Sequence, residues 1–423
     1  MTVAERLADH SHPRLAALAA DPGGEAAFWE EIARERAPLI EADPEWPGFS
    51  RVTYVFPLPE GARHVVVNAG FGQATDHVME RVPGTNVCHA SYRYRNDVRT
   101  SYSFAPDMPV FSYDTASPEE YAAVLAYFAE HPSLPDPHHR DHFVSRAGEG
   151  KPDNLGSFLA LADAPDESLV HKRPDVPRGN IERHLFKSAL MGNERRIWVY
   201  TPPGYQAGEG AYPVLVTFDG GAALTSIPVQ RLLDNLLADG RIRPAVAVFV
   251  DNPTDTSRND ELPCNEAFAQ FIETELLPWL RANYGVSHAA ADHYVTGVSY
   301  GGLASMWLAY RLPHMFGNVL AQAPSLWWGP GWDVGKPAAA QTIPDEWLID
   351  RYEAADRLPV RFWIEMGLME HPSRMLSPSR RMRALMEAKG YDLIYSEPNG
   401  GHDSALWRGT LAKALAAMMP PAA

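Results

Sequence analysis

Cysteine is nearly absent. Cys88 and Cys264 are the only two in 423 residues and lie far apart, which argues against a disulfide framework and fits a reducing compartment. Apolar runs are short, none near the roughly 18 residues that a membrane helix needs, so a soluble chain is expected. The opening MTVAERLADHSHPRLAALAADPGG lacks a basic start, an apolar block and a small-residue cleavage site. No secretion signal is therefore expected, and the expected compartment is the cytoplasm. Positive charge is in deficit too, with 37 Lys and Arg against 53 Asp and Glu, a net charge of −16. Phosphate contacts need clustered cations, so no nucleic acid and no membrane surface is expected as a partner. A small anionic molecule stays open as a ligand if arginines gather in one pocket.

The length exceeds the about 250–300 residues at which single cores split, so two cores are expected. Residues 1–45 are rich in Ala and Glu with helical periodicity and read as a short helical extension. In 46–175 short alternating runs such as RVTYVFPL, RHVVVNAG, NVCHASYRY and TSYSFAPD are divided by Gly, Pro, Asn and Asp. That is the pattern of a small antiparallel β-sandwich, of the Ig-like, early-set kind, followed by a Pro- and charge-rich connector. Its loop holds His138, His139, Asp141 and His142, which look superficially like metal ligands. Nothing puts them on one face, so no metal site is assigned. Residues 176–423 alternate near-continuous apolar strands (YPVLVTFDG, PAVAVFVDNP, HYVTGVS, VRFWIEMGL) with helices, which predicts an α/β domain with a mostly parallel sheet covered on both faces.

The strongest local signal is GVSYGG. It fits G-x-S-x-G, in which a serine sits on a sharp turn between a strand and a helix, with glycines where bulkier neighbours would clash. The context is right, because YVTGV precedes Ser299 and GLASMWLAYRL follows it. A serine hydroxyl needs a base within hydrogen-bond reach, and the base needs a third group to orient it. His402, in a glycine turn after the last strand candidate, is the expected base; His371 is the other histidine in this late region and adjoins the acid loop. Glu370, in the loop after VRFWIEMGL, is the favoured acid. Glu365 lies inside that strand, and Asp403 sits beside His402, where the backbone usually turns its side chain away. An oxyanion hole needs two N–H donors. One is expected from Tyr300, the other from Gly220, Gly221 or Ala222, with Asp219 a turn residue.

With these residues placed, the chain resembles the enterochelin (enterobactin) esterases of the esterase D-like group of α/β-hydrolases. The resemblance is carried by SRNDELPCNEAFAQFIETELLPWL, VTGVSYGGLASMWLAYRLPHMFGNVLAQAPSLWW and NGGHDSALWRGTL, in the expected order, and by MERVPGTNVC and SYSFAPD in the first domain. It implies an α/β-hydrolase catalytic domain behind the sandwich, with Ser299, His402 and Glu370 at the catalytic positions and no protein-bound cofactor. It also implies substrate contacts from Arg258, whose alternative is a surface arginine capping Asp255 or Asp260. Trp327, Trp328, Trp407 and Arg408 would form an aromatic and basic wall against catechol rings, with core packing as the alternative for each tryptophan. The extension before residue 45 has no match in the family, Tyr300 stands where Phe is common, and GLMEHPSRM is similar rather than identical to the family's acid loop.

The expected function is a serine esterase that opens the trilactone of a ferric catecholate siderophore such as enterobactin, so that iron can leave. The alternatives are another macrolactone or depsipeptide, a carbohydrate or feruloyl esterase, and a ligand-binding module that keeps only the hydrolase scaffold.

Overall fold

The structure is a computed structural model that describes residues 4–7, 12–69, 77–112, 115–139, 142–146, 153–208, 211–342 and 345–421. Its strands, in chain order, are β1 (Ala4–Arg6), β2 (Leu39–Ala42), β3 (Phe49–Pro57), β4 (Val65–Asn68), β5 (Glu80–Arg81), β6 (Val87–Arg95), β7 (Arg99–Pro106), β8 (His142–Arg146) and β9 (Asp153–Ala160), then β10 (Asn180–Ser188), β11 (Asn193–Thr201), β12 (Val214–Phe218), β13 (Val246–Val250), β14 (His293–Val298), β15 (Asn318–Gln322), β16 (Arg361–Glu365) and β17 (Asp392–Ser396).

The first nine strands form two antiparallel sheets, β1-β6-β3-β2 with β5 beside β6, and β4-β7-β9-β8. Between them lies an aromatic core of Tyr54, Phe56, Tyr92, Tyr94, Tyr102 and Phe104. Strand β3 is buried along most of its length because both its faces are covered. Val52, Tyr54 and Phe56 face the sandwich core, while Val55 meets Leu15, Leu18, Phe28 and Ile32 of the helices Pro13–Ala20 and Glu25–Glu35. The second sheet is covered in the same way by the helix Pro118–Glu130, through Val124 against Val66 and Ala105.

One expectation changes here. The segment before residue 45 does hold helices, but β1 pairs with Arg93 and its neighbours on β6, and β2 pairs with β3, so the segment is woven into the sandwich sheet. The histidine-rich loop finds local partners: His138 stacks on Trp29, and His139 Nε2 lies 2.7 Å from the Phe158 carbonyl. Asp141 lies outside the described residues, and among the described residues no cluster of potential metal ligands occurs.

The remaining eight strands form one sheet in the order β10-β11-β13-β12-β14-β15-β16-β17, parallel from β13 to β17 with an antiparallel β10-β11 edge. This is the α/β-hydrolase fold, built as the apolar strands predicted. In β12, Val214 and Val216 face one helical layer and Leu215 the other, the two-residue alternation of a pleated strand buried on both sides. One layer holds Phe268, Phe271, Leu280 and Leu303; the other holds Leu232, Leu236, Leu411 and Leu415. Each such side chain contributes about 1.5–3 kcal/mol on burial. The strand order reverses around β12, and the crevice at such a reversal is where open α/β sheets receive ligands. The segments that leave β12, β14, β16 and β17 carry the candidate site residues: Gly220 and Gly221, Ser299, Glu370 and His402.

Candidate active site

Ser299 follows β14 directly with φ 56° and ψ −118°, a conformation that a residue with a side chain adopts only under constraint. Three backbone hydrogen bonds hold it: its N–H donates to the Gln322 carbonyl (3.0 Å), and its carbonyl accepts from Leu303 (3.0 Å) and Ser325 (3.2 Å). The glycines of the motif are not equivalent. A Cβ on Gly297 would lie 2.5 Å from the Gly301 carbonyl carbon, and one on Gly302 would lie 3.0 Å from the Gln322 oxygen. A Cβ on Gly301 would meet nothing closer than 3.4 Å, so the second glycine of the pattern is not demanded by space.

Glu370 lies in the loop after β16, 6% exposed, with its Oε1 2.7 Å from His402 Nδ1. The His402 side chain is 41% exposed. Burial disfavours the imidazolium, but the Glu370 carboxylate outweighs it and holds the His402 pKa above its ordinary value. The other two carboxylates have separate work. Asp403 caps the helix Ser404–Met418 by accepting from Ala405 and Leu406, and also accepts from Thr100 Oγ1 at 2.8 Å. Glu365 is fully buried and accepts from Gln322 Nε2 (3.0 Å) and Thr410 Oγ1 (2.6 Å), and burial pushes its pKa up to about 7. His371 caps the helical turn Pro372–Leu376 by accepting from the Arg374 N–H.

Tyr300 opens the helix Tyr300–Arg311, and Gly220 and Gly221 open Gly220–Leu224, so each belongs to a first turn whose N–H groups lack intrahelical acceptors. Gly221 N–H points to Asp251 Oδ1 at 3.4 Å, a contact Gly220 does not share. Ser325, which the sequence did not single out, places its Oγ 3.3 Å from Ser299 Oγ.

Of the two capping partners weighed for Arg258, the Asp255 side chain lies outside the described residues, and Arg258 itself has a further partner. It forms a bidentate pair with Asp219, at 2.6 and 2.8 Å, and its guanidinium lies over the Tyr300 ring at 5.6 Å. Trp327 lies 5.9 Å from Tyr300 and 4.4 Å from Trp332, and Arg374 covers both tryptophans at 4.7 and 4.6 Å. Burial pushes the Tyr300 phenol up to about 12, against the pull of Arg258 and Arg374. Trp407 stands edge-on to His402 at 4.9 Å. Two residues expected in this wall have other neighbours: Trp328 meets Trp347 edge-on, and Arg408 pairs with Glu167 of the connector at 2.9 Å. Arg374 and Trp332 were missed; Arg374 stands in the acid loop itself, four residues after Glu370, where an arginine beside a candidate site was the available signal.

Residues 188–418, more than half of the chain, match the family described as "Putative esterase", and residues 51–170 match "Enterochelin esterase, N-terminal". The chain belongs to the enterochelin esterase family. This esterase is 29% identical to an iron(III) enterobactin esterase of Dickeya dadantii, over 93% of both chains. It is 28% identical to the iron(III) enterobactin esterase of Escherichia coli K12, covering 81% of this chain and 82% of that one. The crystal structure of a ferric enterobactin esterase from Salmonella typhimurium superposes with a TM-score of 0.74 at 25% identity, over 93% of this chain and 98% of that one. The chain is thus a carboxylic ester hydrolase with the serine-hydrolase fold. No described helix is long and apolar enough to cross a membrane.

Proposed function

We propose that this esterase hydrolyses the ester bonds of a ferric catecholate trilactone of the enterobactin type, so that the iron can be released. The observation that carries this is likeness over both domains at once to iron(III) enterobactin esterases, in a chain that stacks the Arg258 guanidinium on Tyr300 and that of Arg374 on Trp327. A ferric tris-catecholate is a large aromatic anion, which suits cations stacked on indole and phenol rings. On an acidic protein such a patch supplies the local attraction that the net charge withholds.

In this reading Ser299 Oγ attacks a lactone carbonyl while His402 takes its proton. Glu370, bonded to Nδ1, keeps Nε2 as the basic nitrogen and stabilises the imidazolium. The N–H groups of Tyr300 and of Gly220 or Gly221 receive the developing oxyanion, with Gly220 favoured because Gly221 faces Asp251. His402 then returns the proton to the departing serine-derived alkoxide, and a water deprotonated by the same imidazole hydrolyses the acyl-enzyme. Arg258, Trp327 and Trp407 line the substrate, while Trp328 is engaged with Trp347 and Arg408 with Glu167. The iron belongs to the substrate. The enzyme works in the cytoplasm, with the hydrolase at 176–423 and the sandwich and connector at 46–175, whose sheet the segment 1–45 extends.

The test is incubation with ferric and iron-free catecholate trilactones, followed by mass spectrometry, with Ser299→Ala as control. Linear products with the wild type and a loss on the order of 10⁶ in turnover with S299A are expected. An intact trilactone beside a cleaved simple aryl ester would move the substrate to other lactones, and an active S299A would remove the nucleophile.

A further inference from the structure

The loops that carry His402 and Glu370 rest on the sandwich. Residues Asn96–Val98 turn β6 into β7, and this turn faces the segment Pro398–Asp403. The Arg99 N–H donates to the Asn399 carbonyl at 2.9 Å. Asn399 Nδ2 donates to Asp97 Oδ1 at 2.8 Å, and Thr100 Oγ1 donates to Asp403 Oδ2 at 2.8 Å. His402 is thus bracketed by two residues tied to one hairpin. The contact is backbone against backbone at its centre, since a Cβ on Gly400 would lie 2.2 Å from the Arg99 carbonyl oxygen.

The acid loop is seated on the same domain. Met369, next to Glu370, is 6% exposed and packs within the sandwich core beside Tyr102 and Phe104. Its N–H donates to the Gly400 carbonyl at 3.0 Å, and the Leu368 N–H donates to Pro398 at 2.9 Å, so the two loops are also stitched to each other. The Ser299 turn, by contrast, is held within the hydrolase sheet through Gln322 and Ser325.

We infer that the sandwich is a positioning element for the reaction: the β6–β7 turn, through Thr100 and Asp97, sets His402 against Ser299, and its core seats Glu370 through Met369. Thr100 and Asp97 are therefore positioning residues, acting through Asp403 and Asn399. The inference rests on the assignment of Ser299, His402 and Glu370 above. A base displaced by about 1 Å costs on the order of 10²-fold in rate, while substrate binding in the wall of Trp327 and Arg374 is untouched.

The experiment uses the full chain and p-nitrophenyl butyrate, with Thr100→Val, Thr100→Ser, Asp97→Ala and Ser299→Ala. Expected for T100V is a fall in kcat of about ten- to a hundred-fold with KM within about two-fold, recovered in T100S, whose hydroxyl restores the bond. D97A, at a half-exposed turn, keeps the test available should T100V fail to fold, and is expected to lower kcat in the same direction. Wild-type kcat in folded D97A and T100V, with S299A inactive, overturns the positioning role and leaves the triad standing. An equal loss in T100S and T100V also overturns it, because the hydroxyl would then be irrelevant. Activity in S299A sinks the underlying assignment instead.

Discussion

Gly297 and Gly301 look alike in the motif G-V-S-Y-G, yet substitution by alanine should separate them. At Gly297 the added Cβ would stand 2.5, 2.6 and 2.8 Å from the C, O and Cα of Gly301, all backbone atoms. Carbon atoms in contact sit about 3.5–4.0 Å apart, so the end of β14 and the start of the following helix would have to part by about 1 Å. No flexible side chain can give way. Overpacking of this kind costs about 1–3 kcal/mol, and moving Ser299 by about 1 Å against His402 costs on the order of 10²-fold in kcat. At Gly301 the nearest atoms are Phe218 Cβ at 3.4 Å and Asp219 Oδ2 at 3.5 Å, ordinary contacts. The new methyl lies in a helix, where alanine in place of glycine is favourable by about 0.5–1 kcal/mol. Expected, then, are a lower Tm and about a hundred-fold loss of kcat on p-nitrophenyl butyrate for G297A, against an unchanged or raised Tm and kcat within a few-fold for G301A. Equal losses at the two positions, or a G297A enzyme with wild-type kinetics, would refute the steric reasoning.

Three other perturbations test the electrostatics. Because the Glu370 carboxylate raises the His402 pKa, and only neutral imidazole is a base, kcat/KM should rise with pH through a value above the ordinary histidine range; E370Q should move that limb to lower pH and cut kcat by about 10³–10⁴-fold. Glu365, at about 7 against an ordinary 4.5, binds its proton more tightly in the folded state, so its ionisation removes stability as pH rises from about 4.5 to 7. E365Q should therefore unfold at higher urea than wild type at pH 8.5, by up to about 3 kcal/mol, with little difference at pH 4.5. R374A should raise KM about ten-fold for a ferric catecholate lactone, a gap that narrows with added salt, while KM for p-nitrophenyl butyrate stays within about two-fold.

The parts of the candidate site that are local in sequence stand out in the residues themselves. Ser299 sits where an apolar strand meets a helix, and His402 follows the last strand in a glycine turn, so pattern and order alone brought them forward. Fully buried strands such as VLVTF and VAVFV were equally plain. Pairings across long stretches of chain were not. Strand β1 is three residues, Ala-Glu-Arg, whose partner on β6 is nearly ninety residues away, and nothing in those residues marks an extended segment. The ion pair of Arg258 with Asp219 joins residues 39 positions apart, which reading Asp219 as a turn residue did not supply. The helix Pro118–Glu130 did leave a sign, a capping box of Ser117 and Glu120, that was passed over within a domain read as all strand. Strand β10 escaped for another reason: it is an edge strand with most residues solvent-facing, so its apolar alternation is faint.

The backbone at Ser299 carries a further meaning. A left-handed φ there is disfavoured by about 1–3 kcal/mol for any residue with a Cβ, and glycine would relieve it. A chain shaped for persistence alone would hold glycine at this turn. The serine is kept at the expense of robustness, so the most heat-resistant single substitution in this loop and the most disabling one are expected to be the same change.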